Sequence, residues 1–201
     1  VDEFVSEGDN VWDIGANTGL FSFAAAYKAG PDSEVYSFEA DTWLVRLLNE
    51  TAQENADLLG GRVKPVPAAI SNTNGIGSLS IANRGCSANF LSNVSGSTSA
   101  GGERHAQPVV QLSMDWLGER ISVPDVIKID VEGAEKLVLE GGMGLLEEAR
   151  PIILCETFEE TRTDVADILQ GLDYTFLDGG IGESFGEEIE EMRFETVALP
   201  K

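Results

Sequence analysis

Five carboxylates and two glycines stand out in this 201-residue sequence because of where they fall. Asp13, Gly15 and Gly19 follow a short β run in the order Asp-x-Gly-x-x-x-Gly and lead into a helix-prone stretch. Glu39 closes the next β run, and Asp130, Glu132 and Glu156 stand at or just beyond the ends of two later ones. In an open parallel sheet, ligands lie at the carboxyl ends of the strands, near the point where strand order reverses. The turn is G-x-x-x-G rather than the G-x-G-x-x-G that brings backbone against a pyrophosphate, so a diphosphate cofactor is disfavoured. A carboxylate at Asp13 would repel phosphate and attract an ammonium group. One at Glu39 can accept both hydroxyl hydrogens of a ribose. A nucleoside bearing an amino acid satisfies both, and S-adenosylmethionine is the expected cofactor. Glycines at strand-to-helix turns are common for backbone reasons alone, so the reading rests on their combination with the two acids.

Methyl transfer is an in-line displacement that asks the protein to position donor and acceptor and to handle one proton. Asp130, Glu132 and Glu156 are therefore the candidate catalytic groups, one of them a general base for an acceptor hydroxyl. Glu132 and Glu135 also suit the first turn of a helix, where carboxylates meet the positive end of its dipole. The same carboxylates could take Mg²⁺, which favours oxygen ligands; the acid–base reading is preferred and no metal ligand is assigned. His105, the single histidine, is read as a surface residue, although imidazole titrates in the range a base needs. Cys86 has no sequence neighbour that would make it a nucleophile.

The elements that must position these groups alternate between strand and helix, the pattern of an α/β protein with a mainly parallel sheet. Residues 10–14 read as the first strand and residues 20–29 as a helix with Phe23, Ala24 and Tyr27 on one stripe, stopped by Gly30-Pro31. Residues 34–38 form the second strand, and Asp41 caps a helix with Leu44, Leu47, Leu48 and Ala52 at helical spacing. Residues 62–70 read as a third strand, and Pro65 and Pro67 place it at a sheet edge. From Ser71 to Val109 the periodicity lapses except for a short strand at residues 79–82. Residues 84–105, rich in Ser and Gly, are a possible acceptor lid that includes Cys86 to Phe90. Strands return at 126–130 and 151–156, with helices from about Ala134 and over Val165, Ile168, Leu169 and Leu172. Residues 174–177 and 194–199 read as an antiparallel pair at one edge.

Composition narrows the partners. Thirteen Lys and Arg against 35 Asp and Glu give a net charge of −22, which repels phosphate backbones and anionic lipid surfaces. Nucleic acid and membrane are not expected as partners; a small-molecule or saccharide acceptor is. The length fits one domain over residues 1–201, since a single core grows to about 250 residues before chains split. With 42% apolar residues and no long uncharged apolar run, the chain can bury a core but not cross a bilayer. Two distant cysteines and no signal-peptide pattern point to the cytoplasm. Acidity this evenly spread is that of a solvated surface, and it suits a salt-rich medium where counterions screen self-repulsion.

The chain resembles the FkbM family of S-adenosylmethionine-dependent methyltransferases. The likeness lies in Trp12-Asp13-Ile14-Gly15-Ala16-Asn17-Thr18-Gly19, Val35-Tyr36-Ser37-Phe38-Glu39-Ala40, Pro67-Ala68-Ala69-Ile70-Ser71 and Lys128-Ile129-Asp130-Val131-Glu132-Gly133-Ala134-Glu135. Residues 151–156 and 111–117 resemble it more weakly, and Ala40 departs from the family's usual proline. The resemblance implies a class I methyltransferase fold: a mostly parallel, twisted seven-stranded sheet, helices on both faces, and an antiparallel C-terminal strand pair. It implies that Asp13, Gly15, Ala16, Asn17, Thr18 and Gly19 line the methionine end of the cofactor. Glu39 and Ala40 would then border the ribose, and Ala69, Ile70 and Ser71 the adenine. The implied activity is O-methylation of a hydroxyl on a saccharide or small metabolite. A nicotinamide-dependent oxidoreductase and a non-catalytic S-adenosylmethionine-binding module are the alternatives.

Overall fold

The computed structural model describes residues 1–82, 90–91, 103–182 and 184–201. The first half runs β1 (Val11–Ile14), α1 (Leu20–Ala29), β2 (Val35–Glu39), α2 (Thr42–Glu54), α3 (Ala56–Leu59), β3 (Val63–Pro67), β4 (Ala69–Ile70), β5 (Gly75–Ala82), β6 (Phe90–Leu91) and β7 (Glu103–Leu112). The second half runs α4 (Met114–Gly118), β8 (Val126–Ile129), α5 (Glu135–Glu140), α6 (Met143–Ala149), β9 (Ile152–Glu156), α7 (Glu159–Gly171), β10 (Tyr174–Asp178), β11 (Glu188–Ile189) and β12 (Glu195–Pro200).

The main sheet has the order β11-β10-β12-β9-β8-β1-β2-β3. Strands β3, β2, β1, β8 and β9 pair in parallel, whereas β12 is antiparallel to both β9 and β10. The expected fold class is present with one strand more than the expected seven. The extra strand is β11, two residues within the Gly- and Glu-rich connection that fold back on β10. Order reverses between β1 and β8, so the loops after β1, β2, β8 and β9 gather at one end of the sheet.

The two faces of the sheet are built differently. Trp12, Ile14, Phe38, Ile127, Ile129 and Ile153 point to one side and pack with Val138, Leu139, Leu146, Val165 and Leu169 of α5, α6 and α7. Each such side chain, wholly buried, contributes about 1.5–3 kcal/mol. Val11, Val35, Val63 and Val126 point to the other side, beneath Ala25, Ala26 and Ala29 of α1. This corrects two of the three residues of the expected stripe of α1: Tyr27 is 68% exposed and Ala24 faces solvent, while Phe23 is half-buried against this core. A helix seated closely on a row of valines needs small residues underneath, so Ala25, Ala26 and Ala29 lie against the sheet and Phe21 and Phe23 pack at the margin.

Asp41 caps α2 as expected, its carboxylate accepting from Trp43 N at 2.8 Å. Leu44, Val45 and Leu48 are the buried residues of that helix, and Val165 and Leu169 those of α7. β3 is an edge strand, paired with β2 alone among the described residues, with Pro65 opposite Ser37 and Pro67 opposite Glu39. It ends at Pro67, and Ala69 and Ile70 belong to another sheet.

That second sheet, of order β4-β7-β5-β6, occupies the region where no regular structure beyond a short strand was expected. Strand β5 begins at Gly75 and pairs antiparallel with β7 along its length. Leu79 and Val109 are its inward apolar contacts, against Ala69 and Ala134, while Ile76 and Val110 face solvent. With Gly75, Gly77, Ser78 and Ser80 on one strand, alternation is too faint to read. The stretch expected as a lid lies partly outside the described residues, Cys86 to Asn89 included; Phe90 begins β6, and His105 lies in β7 opposite Ile81.

Candidate active site

The turn after β1 is pressed between two neighbouring strands. Gly15 has φ +83°, and a Cβ there would lie 1.9 Å from the Asp130 carbonyl oxygen. Gly19 has φ +85°, with Leu48 and Phe23 where its Cβ would be. Only glycine fits the first position, because both the backbone conformation and the space exclude a side chain. The turn is latched to the end of β2 by Gly15 N and Ala16 N, which donate to Phe38 O at 2.9 and 3.0 Å. Asn17 sits in the left-handed region at φ 51°, and Thr18 is exposed.

Glu39 joins this turn to the next loop. One carboxylate oxygen accepts from Asn17 N and the other from Asp41 N, both at 2.8 Å. Burial pushes its carboxyl up, against the pull of these backbone donors. Each oxygen keeps a further lone pair for a sugar hydroxyl. Asp13 is wholly buried beneath the turn. Its Oδ2 accepts from Ser22 Oγ at 2.5 Å, and Ser37 Oγ donates on to Ser22 Oγ at 2.7 Å. Its Oδ1 has no hydrogen-bond partner. Burial pushes this carboxyl up, and Lys128 pulls it back.

Ala69, Ile70 and Ser71 are buried where the two sheets meet. Ala69 packs with Ala40, Val131 and Ala134, so the second sheet lies across the loops after β2 and β8. Gln107 Nε2 donates to Ala40 O at 3.3 Å across the same junction.

Two of the three candidate catalytic carboxylates, Asp130 and Glu156, come together around Lys128, to which the motif reading gave no role. Lys128 Nζ lies 2.9 Å from Asp130 Oδ2 and 3.7 Å from Glu156 Oε1. Its side chain is 17% exposed, and register places it directly beside Asp13. A lysine inside the buried strand Val126–Ile129 was the available signal, because a charge in such a strand is retained only with partners. Burial alone would push its ammonium down; Asp13, Asp130 and Glu156 together push it up. Glu156 is pushed up by burial and by Asp130, against Lys128. Glu132, in the turn between β8 and α5, has φ 45° and no hydrogen-bonded partner among the described residues. Burial and the nearby acids push its carboxyl up to about 7.

Glu135 is a buried latch. It accepts from Gly133 N at 2.8 Å and from Thr161 Oγ1 at 2.9 Å, tying α5 to α7. Beside the Lys128 cluster, a groove of about 190 Å³ is lined by Phe4, Phe21, Lys128, Leu154, Glu156 and Glu195. Among the described residues, no group of three or more His, Cys, Asp or Glu is arranged to hold a metal ion. Nor is any helix there long and apolar enough to cross a membrane.

A doubly wound sheet with β12 reversed between β9 and β10, and a glycine turn and a buried acid at its switch point, has the architecture of class I methyltransferases. The Methyltransferase FkbM domain family matches residues 13–193, and the chain belongs to that family. Hexuronic acid methyltransferase AglP of Haloferax volcanii is 30% identical over 156 residues, covering 76% of this chain and 57% of its own length. Methyltransferase FkbM from Methylobacillus flagellatus superposes with a TM-score of 0.62 at 15% identity, over 95% of this chain and 43% of that one. Fibrillarin of Aeropyrum pernix, solved with S-adenosylmethionine bound, superposes with a TM-score of 0.54 at 10% identity, over 96% and 67%. The chain thus spans about half the length of the FkbM relatives it matches.

Proposed function

We propose that this chain is the S-adenosylmethionine-dependent methyltransferase domain of an enzyme that O-methylates a hydroxyl of a saccharide or small metabolite. The observation that carries it is the Glu39 bridge: one buried carboxylate grips the β1 turn and stands where a ribose would be held. The residues present fit this cofactor. The orphaned Asp13 Oδ1 leaves a buried acceptor without a hydrogen-bond donor under the methionine end of the site. The turn is G-x-x-x-G rather than the G-x-G-x-x-G that brings backbone against a pyrophosphate, so the nicotinamide alternative lacks support.

S-adenosylmethionine, when bound, supplies an electrophilic methyl group on a sulfonium. The chain's own residues orient it: the backbone of Gly15 to Gly19 borders the methionine end and Glu39 with Ala40 the ribose. Ala69, Ile70 and Ser71 frame the adenine side from the sheet junction. Asp130, Glu132 and Glu156 stand on the acceptor side, where one of them takes the hydroxyl proton. AglP, by its name, acts on a hexuronic acid, which supports a sugar as the acceptor class. A salt-rich cytoplasm, which the −22 charge suits, belongs to the same reading.

Calorimetric titration with S-adenosylhomocysteine tests the cofactor assignment. Binding is expected for the wild type and a loss of at least tenfold for Glu39→Ala, which removes a charge-assisted hydroxyl contact. Binding of NAD in place of S-adenosylhomocysteine would overturn it.

A further inference from the structure

The three carboxylates on the acceptor side do not have equal surroundings. Asp130 and Glu156 both face Lys128 Nζ, at 2.9 and 3.7 Å. Among the described residues, Glu132 has no such cation. Its backbone is left-handed at φ 45°, next to Gly133 at φ 93°. The charged groups facing it are Asp130 on its own turn, Glu135 at the start of α5 and Glu156 at the end of β9. Glu135 is already committed to Gly133 N and Thr161 Oγ1. From the second sheet, Leu79 and Val109 pack on this turn at Val131 and Ala134, and neither titrates.

Resting on the methyltransferase reading, we propose that Glu132 is the general base of the transfer and that Lys128 is a positioning residue that holds Asp130 and Glu156 as its fixed counterions. The proton of the acceptor hydroxyl passes to a Glu132 carboxylate oxygen. The hydroxyl oxygen's electron pair forms the new bond to the methyl carbon, and the carbon–sulfur pair leaves with sulfur as a neutral thioether. Glu132 then returns the proton to water. A group poised near neutrality is both ionised often enough to accept and basic enough to pull; burial among acids puts Glu132 there. A base is needed for a neutral hydroxyl and not for a carboxylate acceptor, which is already ionised and would be repelled by these acids. The assignment therefore also specifies the reacting group of the acceptor as a hydroxyl.

The test begins with a measurement that needs no acceptor. Protein labelled with ¹³C at the Glu side-chain carboxyls is titrated by NMR, and the signal missing from Glu132→Gln identifies Glu132. A midpoint near 7 is expected; a midpoint near the ordinary 4.5 would overturn the assignment. Lys128→Met should raise the Glu156 midpoint, as loss of a close opposite charge does, and Lys128→Arg should restore it. An unmoved Glu156 midpoint in Lys128→Met would remove Lys128 from the scheme. Transfer is then assayed with methyl glucopyranoside and methyl glucuronopyranoside. Glu132→Gln should lower kcat on the hydroxyl about 10²–10⁴-fold, with S-adenosylhomocysteine affinity unchanged. Undiminished transfer, or methylation of the uronate carboxylate, would overturn the proposal. Failure of the wild type to bind S-adenosylhomocysteine would instead overturn the methyltransferase reading, whatever the Glu132 midpoint.

Discussion

Replacing Gly15 by alanine should cost more than the same change at Gly61, and the comparison isolates what the close approach of β1 to β8 contributes. Both glycines have positive φ, +83° and +73°, so both variants pay the left-handed penalty of about 1–2 kcal/mol. At Gly61 nothing lies within 4 Å of the new Cβ. At Gly15 the Cβ would lie 1.9 Å from the Asp130 carbonyl oxygen and 2.8 Å from its carbon, both backbone atoms that no rotamer change can clear. Opening that gap pulls on two hydrogen bonds, Asp130 N to Ile14 O at 3.0 Å and Gly15 N to Phe38 O at 2.9 Å. At about 1 kcal/mol net for each, Gly15→Ala should lose about 2 kcal/mol more than Gly61→Ala. For a domain of this size that is about 4–8 °C in Tm. Urea unfolding of both variants, with equal m-values, reads the difference directly, and S-adenosylhomocysteine affinity should fall in Gly15→Ala alone. Equal losses in the two variants would refute the argument that the turn is sterically locked to Asp130.

Thr161→Ala should destabilise by about 1–3 kcal/mol without altering S-adenosylhomocysteine affinity, because it strips a partner from the buried Glu135 carboxylate; urea melts and calorimetry check both halves. Glu132 gives stability a defined pH dependence: with its folded-state carboxyl at about 7 against 4.5 unfolded, the native state binds the extra proton between those values. Its contribution is full below pH 4.5 and is lost as pH rises through 7, so Glu132→Gln should gain stability relative to wild type between pH 5 and pH 8, as unfolding at the two pH values would show. Molar KCl should raise the Tm above its value in dilute buffer by screening the −22 charge, and an unchanged Tm would end the salt-rich reading.

Much of the site was legible because its residues sit at strand ends, and strand ends are marked by abrupt changes in pattern. The helix α1 spans the residues expected of it, since Gly19 and Gly30 bound an uninterrupted run of helix formers. Asp130, Glu132 and Glu156 were found as a group because each ends or follows an apolar run of four or five residues. The second sheet was not legible: Gly75 to Ser80 and its partner β7 present one inward contact in several residues, below what alternation can reveal. The inward face of α1 was misread in part, since the helix is apolar nearly all round and only its packing on the sheet puts Ala25, Ala26 and Ala29 beneath and Tyr27 outside.

The sequence by itself determined the class of fold, the turn at Gly15 and Gly19, and the set of acids at the sheet's carboxyl edge, because these follow from local pattern and residue chemistry. Only the tertiary structure decided how those acids divide. Lys128 is two residues from Asp130 along the chain but is brought to Glu156 and Asp13 by strand pairing, between β8 and β9 on one side and β8 and β1 on the other. Which carboxylate lies beside a cation and which is left among other acids depends on those inter-strand distances, over which the energy of a charge pair falls off and on which no one-dimensional spacing reports.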